Sequence, residues 1–224
     1  MSGSDAFTSL DSLLTQRHSC RAFLNRPVAR SLVERVVETA QKVPSWCNSQ
    51  PWQLIVLSHA ETNRLRDQLM AAGAVAVIPD VTFPERYVGA YKTRRSECGW
   101  QLYDAVGVQR GDRIASQQQM LENFRFFGAP HVAFVTSPAA LGAYGILDCG
   151  AFITGFMLAA QALGLASIAQ AALAGQASLV RAALAVPEDR HILCGISFGY
   201  GDTAHPANSF RTARAAVGEV MEWR

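Results

Sequence analysis

The sequence predicts one domain of mixed α and β structure, α/β or α+β, from three observations. Short apolar runs with β-branched residues alternate with amphipathic helical segments along the chain. Two further helical segments, Glu85 to Gly107 and Asp112 to Phe127, stand between the first strand and the second. Half of the 224 residues are hydrophobic and only 17% are charged, which is enough apolar material for one sizeable core. No internal repeat or low-complexity linker divides the chain, so residues 1–224 are expected to form a single domain.

The first helix is expected over Ala6 to Gln16, with Leu10, Leu13 and Leu14 on one face, ending before Arg17-His18-Ser19-Cys20-Arg21. Ser31 and Glu34 have the spacing of a capping box, and Leu32, Val33, Val36, Val37 and Ala40 then form a helical stripe that ends by Pro44. Trp52 to Leu57 reads as a buried strand, and Ser58 caps a helix to about Met70. Residues 74–84, with Pro79 and Pro84, read as a loop before the helical pair, which breaks at Gly111. A strand from Pro130 to Thr136 follows, then a long helix from Asp148 to Leu163 and a short strand from Ala166 to Ala169. A helix from Ser178 to Ala185 and a strand from His191 to Phe198 complete the set. The tail from Asn208 to Arg224 has no packed periodicity and is expected to run over a neighbouring surface.

Several function classes are excluded at this level. Twenty Lys and Arg against eighteen Asp and Glu give a net charge of +2, too small and too scattered for a nucleic-acid-binding face. Met1 to Leu10 has neither the basic nor the apolar region of a signal peptide, so the mature protein is expected to start near residue 1. The five cysteines, Cys20, Cys47, Cys98, Cys149 and Cys194, form no C-x-x-C pair and fit reduced, mostly buried thiols in a cytoplasmic protein. Residues 149–180 carry no charge and are long enough to cross a bilayer. The amides and hydroxyls of Thr154, Gln161, Ser167, Gln170, Gln176 and Ser178 instead point to a buried helix and strand. No G-x-G-x-x-G follows the first strand and there is no Walker A motif. His18, His59, His131, His191 and His205 show no metal-ligand spacing, and no metal is expected. Gly195 to Gly199 matches the G-x-S-x-G nucleophile elbow around Ser197, but only 27 residues follow the serine and His205 is the sole later histidine. Those glycines are better explained by a strand passing close to another group.

Two polar clusters remain. Arg17, Ser19 and Arg21 put two cations and a hydroxyl in one short segment, a set suited to an anion, with a solvated charged corner as the bland alternative. Pro44 to Trp52 is an amide-rich loop in which Asn48 and Gln50 have the edges to read a planar heterocycle, while Trp46 and Trp52 offer stacking or packing area.

These clusters, with Leu163-Gly-Leu-Ala-Ser-Ile-Ala-Gln-Ala171 and Gly195-Ile-Ser-Phe-Gly-Tyr-Gly-Asp202 followed by Arg211 and Arg214, resemble the FMN-dependent nitroreductase family. The resemblance is to its oxygen-insensitive, nitrobenzoate-reductase-like branch and covers nearly the whole chain in the same order. It implies an α+β fold with a mixed sheet flanked by helices, a helical cap insertion at about 83–127, and an interleaved homodimer with two FMN sites between the subunits. Arg17, Ser19 and Arg21 would hold the ribityl chain, phosphate and pyrimidine edge, with His18 inside the same motif. Ser45, Trp46, Asn48 and Gln50 would reach the flavin from the other subunit. Ala169, Gln170 and Ala171 would present backbone to the flavin, with the Ala171 N–H at N5, although the family commonly has Pro at the position of Ala169. Gly199 would lie beside the cofactor. Arg214, helped by Arg211, would meet the phosphate, although Ala215-Ala216-Val217 replaces the family's Pro and Leu.

The implied activity is transfer of electron pairs from NADH or NADPH through FMN to a small aromatic acceptor. Nitroaromatics are expected first, reduced through nitroso to hydroxylamine, and quinones or other flavin-dependent acceptors next. A non-catalytic FMN-binding module and a serine hydrolase using Ser197 are the alternatives. The stretch 83–127 holds eight of the twenty aromatic residues, which suits a mobile cap over a flat substrate. Tyr91 and Phe124 are the candidate substrate contacts, with core packing expected to take about half of the eight.

Overall fold

The computed structural model describes residues 3–73 and 77–224, so residues 74–76 of the expected 74–84 loop lie outside the described residues. Strands β1 (Gln53–Val56), β2 (His131–Pro138), β3 (Ala166–Gln170) and β4 (Arg190–Gly199) form one sheet in the order β1-β2-β4-β3, with every neighbouring pair antiparallel. This makes the fold α+β. The parallel component of the expected mixed sheet is, among the described residues, the isolated bridge between Ser19 and Ser167. That bridge lays the arginine-rich segment against β3.

Helices α1 (Gly3–Gln16), α2 (Arg30–Ala40), α3 (His59–Ala72), α4 (Gly89–Ala105) and α5 (Arg113–Leu121) precede the long α6 (Gly142–Ala162). The short α7 (Ala171–Ala174) and α8 (Ala177–Leu184) follow. Ser58 caps α3 by accepting the Glu61 N–H, and Asp112 caps α5 by accepting the Ala115 N–H at 2.9 Å. The capping box expected at Ser31 and Glu34 is absent. The helix already starts at Arg30 behind Ala29, and the Glu34 carboxylate pairs with Arg30 Nε at 2.7 Å instead of capping a backbone N–H. The reason is tertiary, because His131 Nε2 accepts the Val28 N–H at 3.0 Å and sets where the chain turns into α2.

Strand alternation divides the core into two faces. Val132, Phe134 and Ile168 pack with Leu65, Leu69, Leu173 and Val180 on one side, while Ala133, Val135, Ile196 and Phe198 pack with Val36, Phe152 and Phe156 on the other. Each fully buried phenylalanine contributes about 1.5–3 kcal/mol by leaving water. β1 is an edge strand and only half-buried, which corrects the expectation of a buried strand there. Its register exposes Gln53 and Val56.

The uncharged run 149–180 is divided among the end of α6, β3, α7 and the start of α8. Residues Ala139–Ala162 are long and apolar enough to cross a bilayer. Phe152, Phe156 and Ala160 in that stretch are nevertheless buried against the sheet and α2. All five cysteines are free thiols, and burial pushes Cys149 up to about 11 and Cys194 up to about 12.

The glycines of β4 are explained by close approach. A Cβ on Gly195 would lie 2.3 Å from Leu173 Cδ1, and one on Gly199 would lie 2.7 Å from Pro130 Cδ. Ser197 between them is fully buried and donates its hydroxyl to Gln170 Oε1, so it faces neither solvent nor a histidine. Gly195→Ala should lower stability by about 1–3 kcal/mol through overpacking against Leu173, read as a shift of the denaturant midpoint.

His131 is buried with Nδ1 donating to the Leu57 carbonyl at 3.0 Å and Nε2 accepting from Val28, a pairing that requires the neutral ring. Burial accordingly lowers its pKa, against a smaller opposing effect of the Leu57 bond. Stability linked to this group is complete above the unfolded value of about 6.5 and is lost as pH falls through the lower folded value. The denaturant midpoint should therefore drop on acidification below about pH 6.5. His131→Gln should flatten that dependence.

Candidate functional site

The Ser19–Ser167 bridge fixes the start of the site, and Cys20 N–H adds a bond to the Ser167 carbonyl at 3.2 Å. Asn208 then ties this segment to the C-terminal loop. Its Oδ1 accepts the Arg21 N–H at 2.7 Å, while Nδ2 donates to the carbonyls of Ala22 at 2.9 Å and Asp202 at 2.8 Å. The tail that follows brings Arg211 and Arg214 over the same ground. The result is a cavity of about 560 Å³ lined by Arg17, His18, Ser19, Arg21, Cys98, Arg211 and Arg214.

The electrostatics of this cavity are one-sided. Among the described residues none of the four arginines pairs with a carboxylate. Carbonyl oxygens hold three of them instead: Arg21 bonds Ser19 at 3.3 Å, Arg211 bonds Asn208 at 2.9 Å and Phe210 at 2.8 Å, and Arg214 bonds Thr212 and Ala213. Burial lowers the Arg17 pKa, and Arg214 lowers it further by repulsion. Burial likewise lowers His18, with added repulsion from Arg211, Arg17 and Arg21. Such a set is stabilised by a ligand that supplies negative charge, and guanidinium forks with a serine hydroxyl match phosphate oxygens. The donor set therefore fits the phosphate of FMN. Arg17, His18, Ser19 and Arg21 are half-buried, while Arg211 and Arg214 are exposed.

The loop of Ser45, Trp46, Asn48 and Gln50 lies elsewhere on the chain and lines no part of this cavity. Cys47, Asn48 and Gln50 have φ of 52°, 55° and 45°, the left-handed region that side chains rarely adopt. Asp148 enforces this shape by accepting the Trp46 N–H at 3.1 Å and the Ser49 hydroxyl at 3.3 Å, and Ser45 Oγ accepts the Gln50 N–H at 3.0 Å. The Asn48 side chain is exposed and makes no hydrogen bond among the described residues, so its amide is open to a ligand. Trp46 packs on Tyr144 at 4.3 Å, and Trp52 stacks on Phe152 at 5.1 Å as part of the core.

At the end of β3, Ala169 and Ala171 are exposed while Gln170 turns inward. The Gln170 side chain is thus a structural group, and only its backbone shares the outward face of the turn. Gly199 sits under Pro130 and Phe23, which gives it a packing role.

The cap aromatics range in exposure, with Phe83 exposed and Trp100 and Tyr103 half-buried. Tyr87 and Tyr91 are exposed, at 44% and 67%, whereas Phe124, Phe126 and Phe127 belong to the buried core. This corrects the expectation that Phe124 meets a substrate. The turn after α5 folds back onto the sheet, with Phe126 and Phe127 at positive φ and Arg66 bonding the Arg125 and Ala129 carbonyls.

Sequence reasoning missed Asn208, Asp148 and Cys98. Asp148 carries a legible signal, because it is the only Asp, Glu, Lys or Arg between Arg125 and Arg181, and a lone acid in an apolar helix needs partners. Asn208 and Cys98 carry none, since their partners are distant in the chain. Asp148→Ala should remove bonds to a charged acceptor worth about 1.5–3 kcal/mol each. Hydrogen exchange at the Trp46 and Ser49 amides should accelerate while the sheet amides keep their protection.

The chain matches the model of the nitroreductase family over residues 14–200. It is 38% identical over 222 residues to nitroreductase NfnB of Mycolicibacterium smegmatis, covering 98% of this chain and 94% of that protein. It is 31% identical to a 4-nitrobenzoate reductase of Pseudomonas putida, covering 91% of this chain and 90% of that one. The crystal structure of the FMN-dependent nitroreductase NfnB from Mycobacterium smegmatis in complex with NADPH superposes with a TM-score of 0.93 at 36% identity, covering 98% of this chain and 99% of that chain.

Proposed function

This chain belongs to the nitroreductase family, and from that premise we propose how its own residues serve the reaction. It is an FMN-dependent NAD(P)H oxidoreductase that reduces nitroaromatic compounds. FMN held by the arginine cavity would supply the two-electron redox chemistry that links NADH or NADPH to the acceptor in a ping-pong cycle. The observation that carries the assignment of the site is the cavity of four arginines without a carboxylate partner.

In this reading Arg214 and Arg211 bind the phosphate, with Arg17 as helper, and their positions are held by backbone carbonyls before the ligand arrives. Arg17 or Arg21 also stabilises negative charge that develops on the pyrimidine side, while Ser19 donates a neutral hydrogen bond. The exposed turn of Ala169 and Ala171 offers the Ala171 N–H to N5. Tyr91, exposed on α4, contacts the aromatic acceptor from the cap. The five free thiols fit a cytoplasmic enzyme.

The second half of the reading is a homodimer. Helix α1 has no buried residue and exposes Phe7, Leu10 and Leu14, and Leu147 on α6 is 68% exposed. Val217, Val220, Met221 and Trp223 on the tail are exposed as well. These are the apolar surfaces of an obligate interface, and a second subunit would bring the strained loop with Asn48 and Gln50 to the arginine cavity. Ser197 has no role as a nucleophile, since its hydroxyl is buried and bonded to Gln170.

The absorbance spectrum of the purified protein before and after anaerobic NADPH or NADH tests the function. A yellow protein that bleaches with the nucleotide and regains colour with a nitroaromatic is expected. A yellow protein that never bleaches is a binding module, and a colourless one that labels with a fluorophosphonate is a hydrolase. Arg214→Ala should weaken FMN binding by about 10- to 100-fold, from the loss of a charge-assisted bond of about 1.5–3 kcal/mol. The variant should fold, purify partly apo and recover activity in excess FMN. Arg214→Lys should regain part of the affinity.

A further inference from the structure

The buried amide of Gln170 joins three parts of the chain that are far apart in sequence. Its Nε2 donates to the Asn123 carbonyl at 2.9 Å and to Asn123 Oδ1 at 3.3 Å, and its Oε1 accepts the hydroxyl of Ser197. Asn123 lies just past α5, at the C-terminal root of the cap, and Ser197 lies in the middle of β4. Gln170 itself stands between the two outward alanines of the turn at the end of β3. Gln170 and Ser197 are 3% and 0% exposed, so the bond between them is shielded from water, while the bonds to Asn123 are half-buried. A methionine would fill the same space without polar atoms to satisfy, so packing alone does not account for an amide here.

The same root of the cap is held independently from the other side. Arg66 on α3 donates from Nε to the Arg125 carbonyl at 2.9 Å and from Nη2 to the Ala129 carbonyl at 2.7 Å, without touching the 169–171 turn. Among the described residues the cap root is thus hydrogen-bonded to both Gln170 and Arg66, and Gln170 is the one that stands in the turn carrying Ala171.

We propose that Gln170 is a positioning residue that ties the C-terminal root of the cap to the turn presenting the Ala171 N–H, so that cap position and the hydrogen bond offered to flavin N5 are set together. The proposal rests on the flavoprotein function given above. Its physical content is one amide that stands in the turn and is bonded to the cap root, so removing it releases both segments together, whereas removing Arg66 leaves these two hydrogen bonds in place.

The test compares the FMN-loaded parent with Gln170→Met, with Gln170→Met combined with Ser197→Ala, and with Arg66→Ala. Three quantities are measured: amide exchange at 123–128 and at 169–173, the midpoint potential of bound FMN, and kcat and KM separately for a small and a bulky nitroaromatic. Gln170→Met should accelerate exchange in both segments together by about tenfold, which corresponds to losing about 1.4 kcal/mol of local protection. It should also shift the FMN potential and change KM for the bulky acceptor more than for the small one. Arg66→Ala should accelerate exchange at 123–128 alone and leave the potential at the parent value. The double variant removes the hydroxyl left unpaired by the single one and carries the same readouts if the single variant does not fold. An unchanged potential in the Gln170 variants, or an equal shift in Arg66→Ala, would reduce Gln170 to a packing residue and overturn the proposal. Failure of both Gln170 variants to fold overturns it as well. A parent that takes up no FMN overturns the flavoprotein reading instead, and joint acceleration of the two segments in the apo chain then still decides whether Gln170 links them.

Discussion

A cluster of four arginines that, among the described residues, has no carboxylate partner is the constraint around which this chain is organised. Arg17, Arg21, Arg211 and Arg214 come from opposite ends of the sequence and surround one cavity, and carbonyl oxygens are partners of Arg21, Arg211 and Arg214. Carboxylates would neutralise the cluster and compete with an anionic ligand. Carbonyl dipoles orient the side chains and leave their net charge available. Asn208 makes the arrangement possible by using both ends of its amide to join the two chain ends. The lowered pKa of His18 follows from the same crowding, with burial as the larger cause.

The sheet serves that cluster through its edge. β3 is the edge strand on the site side, and its bridge to Ser19 turns the first motif into an extension of the sheet. The tight packing behind it depends on bare backbone in β4, where Leu173 and Pro130 occupy the volumes that side chains at Gly195 and Gly199 would need. A sequence pattern that matches a hydrolase elbow thus arises from two close contacts and a buried hydroxyl. The other edge, β1, is half-buried and leads back through the strained loop that Asp148 holds in place.

The cap is anchored at both ends. At its N-terminal root, Ile78 N–H bonds the Gly175 carbonyl at 3.0 Å, while Asp80 accepts the Ile192 N–H at 2.7 Å and pairs with Arg181 at 2.7 Å. At its C-terminal root, Gln170 and Arg66 hold the turn that buries Phe124, Phe126 and Phe127. The part between these anchors, α4, α5 and their connection, carries the exposed Tyr91. The Arg94–Glu219 pair at 2.9 Å joins that part to the tail, but both side chains are about half exposed and the pair is worth only about 0.2–1 kcal/mol.

Local chemistry in the sequence determined the helices and strands, the Ser58 cap, the inserted helical pair and the clustering of Arg17 and Arg21 in one short segment. Each of these depends on residues within a few positions of one another, so periodicity and spacing reveal them. The family resemblance, carried by four motifs in order, extended this to the fold class and the cofactor. Tertiary structure alone decided the rest. Whether Phe124 faces a ligand or the core depends on how the chain turns after α5, and whether Ser31 caps α2 depends on His131, a hundred residues away. Gln170 was legible as part of the segment that carries the family resemblance, yet the inward direction of its side chain is set by partners just past α5 and on β4. Burial and long-range hydrogen bonding are properties of the assembled chain, and single-residue chemistry leaves them open until the elements have packed.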